Sequence, residues 1–448
     1  MRLDRLSPMN VLRADRVAGP HGASSFDSQG SRERVKVSVF TPSHAPAYLD
    51  DCYRSVVGQT HQDWEWVVLL NGDAVWEPPS PDPRIRVLRG AATGLVGALK
   101  REACALATGE VLLELDHDDV LAPRCLAEVV AAFDRHREAV LVYSDFAQIN
   151  ADGSPNFDTF NPAMGWEYAP ANVNQMLVNR CRALAPSPHN VGYIWYAPNH
   201  VRAFRRTAYE RVGGYDAALE VLDDQDLMMR LYEVGDFHHV GACLYLQRIH
   251  DSNTQREGRI NKVIQQETVR LYHRGIAGLA VAWAKRNGLA SLDLHTAQWP
   301  DRTLVAGADD LGIDARDPVL PYGDGEVGVI VATELLQRVP ERLAFFTECH
   351  RVLAHGGLVL TTTPSTDGRG AFQDPTHVAF WNQNSFWYLT QAPLRERAFP
   401  GSSHLRFQVS GLRTYFPTEF DRTHDISYVG ANLLAIKDGP RQGGPLLC

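Results

Sequence analysis

The stretch Glu110–Pro123, EVLLELDHDDVLAP, decides how the rest of the chain is read. Val111–Leu115 reads as a short buried strand. It gives way at once to Asp116, His117, Asp118 and Asp119. On its amino-terminal side Leu95, Leu99, Ala103 and Leu106 recur at helical spacing, with Gly109 as the stop. On its carboxyl side a helix over about 124–137 leads to a strand at Ala139–Tyr143. Upstream, VKVSVFTPS (Val35–Ser43) reads as a strand, and Leu49, Cys52, Tyr53, Val56 and Val57 share one helical face. WEWVVLL (Trp64–Leu70) is a further buried strand, broken by Asn71-Gly72-Asp73. Strand and helix alternating over short links predict an α/β sandwich with ligands at the carboxyl ends of its strands. The acidic cluster falls at such an end.

The chain has 448 residues, more than the roughly 250–300 that one core supports, so two or three domains are expected. A net charge of −9 argues against a surface that coats nucleic acid or an anionic membrane. No run approaches the roughly 18 apolar residues of a membrane span, and MRLDRLSPMNVLRADRV lacks the apolar centre of a signal peptide. The seven cysteines are scattered without a CxxC pair, which suits reduced core residues in a cytoplasmic protein.

The pattern divides the chain into a loose tail at 1–34, a first α/β domain at 35–255, a helical connector at 256–290, a second domain at 291–438 and a closing tail at 439–448. In the second domain Val327–Val331 reads as a strand, and Leu343, Phe346, His350 and Leu353 align on a helix. Gly356-Gly357 and the strand Leu358–Thr362 follow, and 405–416 with 426–436 form a final antiparallel pair.

Like charges packed as closely as DHDD raise one another's pKa unless a cation neutralises them. The plain reading is a solvated turn that caps the following helix; its place at a strand end favours a hard divalent ion. A second cluster, Asp223-Asp224-Gln225-Asp226, opens a helix carrying Leu227, Met228, Leu231 and Tyr232 on one face. Capping and the helix dipole account for one carboxylate there. Another could take a proton from a hydroxyl nucleophile. His250, after the strand-like CLYLQRIH, is a candidate ligand with Asn253 close by.

These residues together resemble the GT-A glycosyltransferases of the family 2 type, over about 35–255. VSVFTPSHAPAYLDDCYRSVVGQTHQDWEWVVLLNGD looks like the family's first nucleotide-binding unit, and LKREACALATGEVLLELDHDDVLAP like its helix, strand and DxD element. FRRTAYERVGGYDAALEVLDDQDLMMRL is similar to the acceptor-side segment, where a GG(F/Y)D turn precedes an acidic motif. The resemblance implies a Mn2+ or Mg2+ ion on Asp118, with His250 meeting the metal or diphosphate from the far side. It places Asp116 near the ribose, His117 among the donor contacts, and Asp224 as general base with Asp223 beside it. It puts Thr41 and Pro42 in the base and ribose pocket and Lys100 or Arg101 against the nucleotide. Asn71 stands where the family commonly has an aspartate that reads uracil. It can donate and accept hydrogen bonds, so a base can still be read. The implied reaction is inverting transfer from a nucleotide sugar, UDP-linked by preference, to an acceptor. Saccharide, peptide and small natural product all stay open as acceptors.

The second domain is similar to class I S-adenosylmethionine methyltransferases, through PYGDGEVGVIVATELLQRVPERLAFFTECHRVLAHGGLVLTTTP and FQDPTHVAFWNQNSFWYLT. The glycine-rich cofactor loop of that family is missing before Leu304, and no obvious strand precedes it. Asp293 stands alone as a possible ribose-binding acid. We therefore expect a degenerate domain for packing, acceptor docking or homodimerisation, with S-adenosylmethionine set aside as cofactor. The alternatives are a methyltransferase acting on a glycan or natural product, and a silent nucleotide-sugar-binding scaffold.

Overall fold

Apolar residues on both sides of the backbone force the first strands into the middle of a sheet. β1 (Val37–Ser43) carries the helix α1 (Leu49–Val57) and returns as β2 (Trp64–Leu70), paired in parallel with β1. β3 (Ile85–Arg89), α2 (Val96–Leu106) and β4 (Val111–Glu114) follow, and β4 lies on the other side of β1. Side chains alternate between faces. Val37 and Val39 meet α1, while Phe40 meets α2.

β5 (Val120–Leu121), α3 (Cys125–Arg135), β6 (Ala139–Asn150), β7 (Pro155–Asn156), β8 (Glu167–Val173) and β9 (Met176–Arg182) come next. β10 (His200–Arg205), α4 (Arg206–Arg211), α5 (Asp223–Val234) and β11 (Asp236–Ile249) complete this half. The sheet runs β3-β2-β1-β4-β10-β6-β11-β5, with β10 antiparallel to both β4 and β6. That reversal of strand direction falls beside β4, and α/β sheets bind ligands outside the carboxyl ends of strands at such switch points.

The computed structural model describes residues 35–91, 94–193, 198–251, 253, 258–298 and 304–443. The tail 1–34 and Cys448 lie outside the described residues.

The helix α6 (Gly258–Arg286) serves both halves. Ile264, Leu271 and Leu279 pack on the first half, while Tyr272, Ile276, Ala280 and Ala284 pack on a second sheet. That sheet is built from β12 (Ala290–Thr296), β13 (Asp309–Ile313), β14 (Val327–Thr333), then after α7 (Arg342–Val352) β15 (Leu353–Pro364), β16 (Phe407–Tyr415) and β17 (Tyr428–Ala435). Its order is β13-β12-β14-β15-β17-β16, with β12 to β15 parallel and β16 and β17 an antiparallel pair. The fold class expected from the sequence, two α/β sheets in succession, holds.

One expectation needs correction. A strand does stand before Leu304: β12 lies in the interior of the second sheet, with Asp293 fully buried in it. ASLDLHT escaped the pattern because Asp293 and His295 interrupt a short apolar run. Ala297 and Gln298 follow β12 without a glycine, and no helix occurs among the described residues between β12 and β13.

Candidate active site

A cavity of about 350 Å³ opens where β1 and β4 end and β10 and α5 begin. Pro42, Lys100, Asp116, His117, Asp118, Asp223, Asp224 and His250 all line it. The fold thus brings together acids that lie a hundred residues apart in sequence.

The DHDD loop is held from behind. Arg248, 2% exposed, donates from Nε to the Asp118 carbonyl at 2.7 Å and from Nη2 to Asp51 at 2.7 Å. Its own backbone N–H reaches Asp119 Oδ1 at 2.6 Å. The buried Cys52 thiol donates to the carbonyls of Asp119 (3.2 Å) and His117 (3.3 Å), and the Asp116 N–H donates to Tyr245 Oη at 3.2 Å. Asp119 is spent on this scaffold, while Asp118 faces the cavity. Burial, with the Glu114 carboxylate adding to it, pushes Asp116 up to about 7.

Asp118 Oδ2 and His250 Nε2 lie 2.9 Å apart, and Asn253 Nδ2 is 3.3 Å from the same oxygen. Adjacent ligands of an octahedral ion with bonds of about 2.1 Å are separated by about 3 Å, so this pair fits a hard cation. Asp116, Asp119 and His200 also bring one ligand atom each within 4.8 Å of one another. Asp119 is already bonded to backbone there, which makes Asp118 with His250 the better-suited pair.

The second acidic cluster is sorted by its neighbours. Lys100, 6% exposed, pairs with Glu114 Oε1 at 2.6 Å and Asp223 Oδ2 at 2.9 Å. Burial alone would lower the Lys100 pKa, but Asp223, Glu114 and Asp224 outweigh it and hold the ammonium charged. Burial, with Asp224 and Glu114 beside it, lifts Asp223 in spite of Lys100. Asp224 is different. Its Oδ2 meets Arg202 Nη1 at 2.6 Å, and Arg202 also reaches Glu114 Oε1 at 3.3 Å. Burial opposes the Glu114 charge, yet Lys100 and Arg202 hold its pKa down at about 2. The two acids sit at the start of α5, directly after Leu222, whose φ is +63°. A left-handed branched residue costs about 1–3 kcal/mol and persists where surrounding packing enforces it.

Three expected residues lie elsewhere. Thr41 faces away from the cavity, as strand alternation dictates after Pro42, and its hydroxyl accepts from the Trp66 indole at 2.9 Å. Arg101 sits one position beyond Lys100 on α2 and donates to the Tyr215 carbonyl at 2.8 Å. Asn71, whose N–H bonds the Ser43 carbonyl at 2.8 Å, is not on the cavity wall. Sequence reasoning passed over Glu114, Arg202 and Arg248. The signal for Glu114 was present: a carboxylate within VLLEL cannot be buried without a cationic partner.

The α/β sheet thus brings two acidic clusters, a lysine and an arginine to one cavity. Residues 38–211 match the model of the family "Glycosyl transferase family 2", and residues 278–361 match that of "Methyltransferase domain". The first half of this chain is thus similar to the family 2 glycosyltransferases, and a segment similar to the methyltransferase model follows it. The O-antigen biosynthesis protein RfbC of Myxococcus xanthus is 28% identical over 308 residues, covering 66% of this chain and 21% of that protein. A chondroitin synthase of Pasteurella multocida is 24% identical over 226 residues, covering 49% of this chain and 21% of that protein. The chain thus spans 21% of the length of each of these curated relatives. Among solved structures, S. aureus TarS 1–349 in complex with UDP-GlcNAc superposes with a TM-score of 0.38 at 15% identity, over 57% of this chain and 75% of that one.

Proposed function

We propose that residues 35–255 transfer a sugar, with inversion, from a nucleoside-diphosphate sugar to an acceptor hydroxyl, and that the donor is UDP-linked. The reading rests on Asp224, a carboxylate on the cavity wall held by Arg202, in the same cavity as Asp118 and His250. A Mn2+ or Mg2+ ion on Asp118 and His250 would stabilise the negative charge that gathers on the departing diphosphate. Asp224 takes the acceptor proton as the hydroxyl attacks the anomeric carbon from the face opposite the diphosphate. Arg202 fixes the carboxylate for that step, and Lys100 locks Asp223 so that a single acid faces the acceptor.

The names of the relatives, an O-antigen biosynthesis protein and chondroitin synthases, support a saccharide acceptor. Among the described residues no helix is long and apolar enough to cross a membrane, and the described cysteines are buried and unpaired. We place the reaction in the cytoplasm on that basis. The glycine-free turn after β12 supports a non-catalytic role for 291–438.

Calorimetric titration of UDP, GDP, dTDP and S-adenosylmethionine, each with and without Mn2+, tests the reading. We expect Mn2+-dependent binding of UDP that is lost in Asp118→Ala. Binding of S-adenosylmethionine with no nucleotide binding would overturn it and put the second half in charge.

A further inference from the structure

The second sheet meets the first half along β16, at Ser410 and at Gln408, whose Nε2 lies 3.4 Å from His189 Nε2. Ser410, on β16, is fully buried, and three side chains from outside its sheet converge on it. His189 Nδ1 lies 2.8 Å from its hydroxyl, the α6 residue Tyr272 hydrogen-bonds the same hydroxyl, and Tyr193 Oη donates to the Ser410 carbonyl at 3.4 Å. His189 and Tyr272 are fully buried and Tyr193 is 3% exposed. At the neighbouring Gly411 a Cβ would stand 2.8 Å from the Tyr272 ring. Buried polar groups of this kind specify one arrangement, because any other leaves them unpaired.

His189 and Tyr193 belong to a tight loop at 186–193. Val191 N–H bonds the Ser187 carbonyl at 2.9 Å, and Asn190 Nδ2 bonds that of Ala185 at 3.0 Å. The loop also presses on α5: Gly192 holds φ +89°, and a Cβ there would meet Met229 Sδ at 2.4 Å. Val191 of the loop packs in one buried cluster with Phe204 of β10 and Met228 of α5, and Asn199, with His200 and Arg202 of β10, lines the cavity wall. The His200 ring stacks on Tyr245 with centroids 4.1 Å apart, and Tyr245 Oη accepts the Asp116 N–H.

We infer that Ser410 is a positioning residue for the transferase site: the methyltransferase-type half buttresses the loop at 186–193, and through it the wall formed by Asn199, His200 and Arg202. The second half then needs no cofactor of its own to matter for turnover. This rests on the transferase reading for its effect on rate, but not for its effect on local order.

The test uses the full chain with Ser410→Ala and the milder Tyr272→Phe. Amide hydrogen exchange should rise about tenfold over 199–205 in both variants and stay unchanged over 37–43 and 327–333. UDP–Mn2+ affinity should hold within about twofold of wild type, since Asp118 and His250 are untouched. For hydrolysis of UDP-glucose or UDP-N-acetylglucosamine, kcat should fall about tenfold with KM for the donor unchanged. Exchange over 199–205 equal to wild type, or loosening spread evenly into 327–333, would overturn the inference. Loss of donor KM rather than kcat would overturn it as well. If the wild type binds neither UDP nor GDP, the transferase reading falls, and the exchange pattern still decides whether Ser410 holds the wall.

Discussion

Arg202 Nη1 lies 2.6 Å from Asp224 Oδ2 and 3.3 Å from Glu114 Oε1, so one guanidinium bridges an acid on the cavity wall and an acid inside the sheet. The bridge exists because β10 runs antiparallel to β4 with Arg202 and Glu114 as register partners. Cross-strand neighbours on one face touch, and here they carry opposite charges. Arg202→Met should leave two carboxylates short of a cation and cost about 3 kcal/mol of stability. Arg202→Lys should recover much of that stability but little turnover, because an ammonium cannot span both acids in one plane. Denaturant unfolding alongside donor turnover separates the two losses.

Asp224→Asn keeps the shape and removes the basicity. Turnover should fall by about 10²-fold or more while UDP binding stays near that of wild type. Turnover like that of wild type in this variant would remove Asp224 from the base role.

Gly97 lies in the first turn of α2, and alanine in place of glycine within a helix ordinarily stabilises it, by up to about 1 kcal/mol. Here a Cβ would stand 2.2 Å from the Asp216 carbonyl oxygen and 3.3 Å from the Asp223 Cβ. Gly97→Ala should therefore lower the thermal midpoint instead of raising it, and should reduce turnover by displacing the start of α5. A raised midpoint would show that the helices can part freely.

The Cys52 thiol serves the DHDD loop as a buried donor to two of its carbonyls. Cys52→Ala should cost about 1–3 kcal/mol and weaken UDP–Mn2+ binding. Cys52→Ser, which keeps a donor, should bind UDP more tightly than Cys52→Ala. Equal affinities in the two variants would leave the thiol as packing alone.

Stability should fall in acid partly through Glu65. Burial opposes its charge, but hydrogen bonds from Ser38 and Thr108 and the Lys36 ammonium hold its pKa near 2, below the usual 4.5. Because the folded value is the lower one, the stabilisation is present above about pH 4.5 and is lost as pH falls towards 2, up to about 3 kcal/mol. Glu65→Gln should be less stable at pH 7 and lose less on acidification. Parallel stability-against-pH curves for the two proteins would contradict this.

Much of the site was legible because it is local. DHDD after an apolar strand, and DDQD opening a helix, are patterns within a few residues, and both clusters line the cavity. Thr41 and Arg101 misled because adjacent positions point to different sides, so a motif locates its segment better than its side chains. Arg202 stayed hidden since nothing near it in sequence declares a partner.

The amino-acid sequence by itself determined the alternation of strand and helix, the two sheets in succession, and which segments carry acids, because periodicity and composition act over a dozen residues at most. Only the tertiary structure decided how each acid is paired. Asp223 is bound to Lys100, Asp119 to the backbone of Arg248, and Asp224 is turned to the cavity on Arg202. Those choices depend on the register of β10 against β4 and on the approach of α5 to α2 at Gly97. Both join residues about a hundred positions apart, beyond the reach of any local pattern.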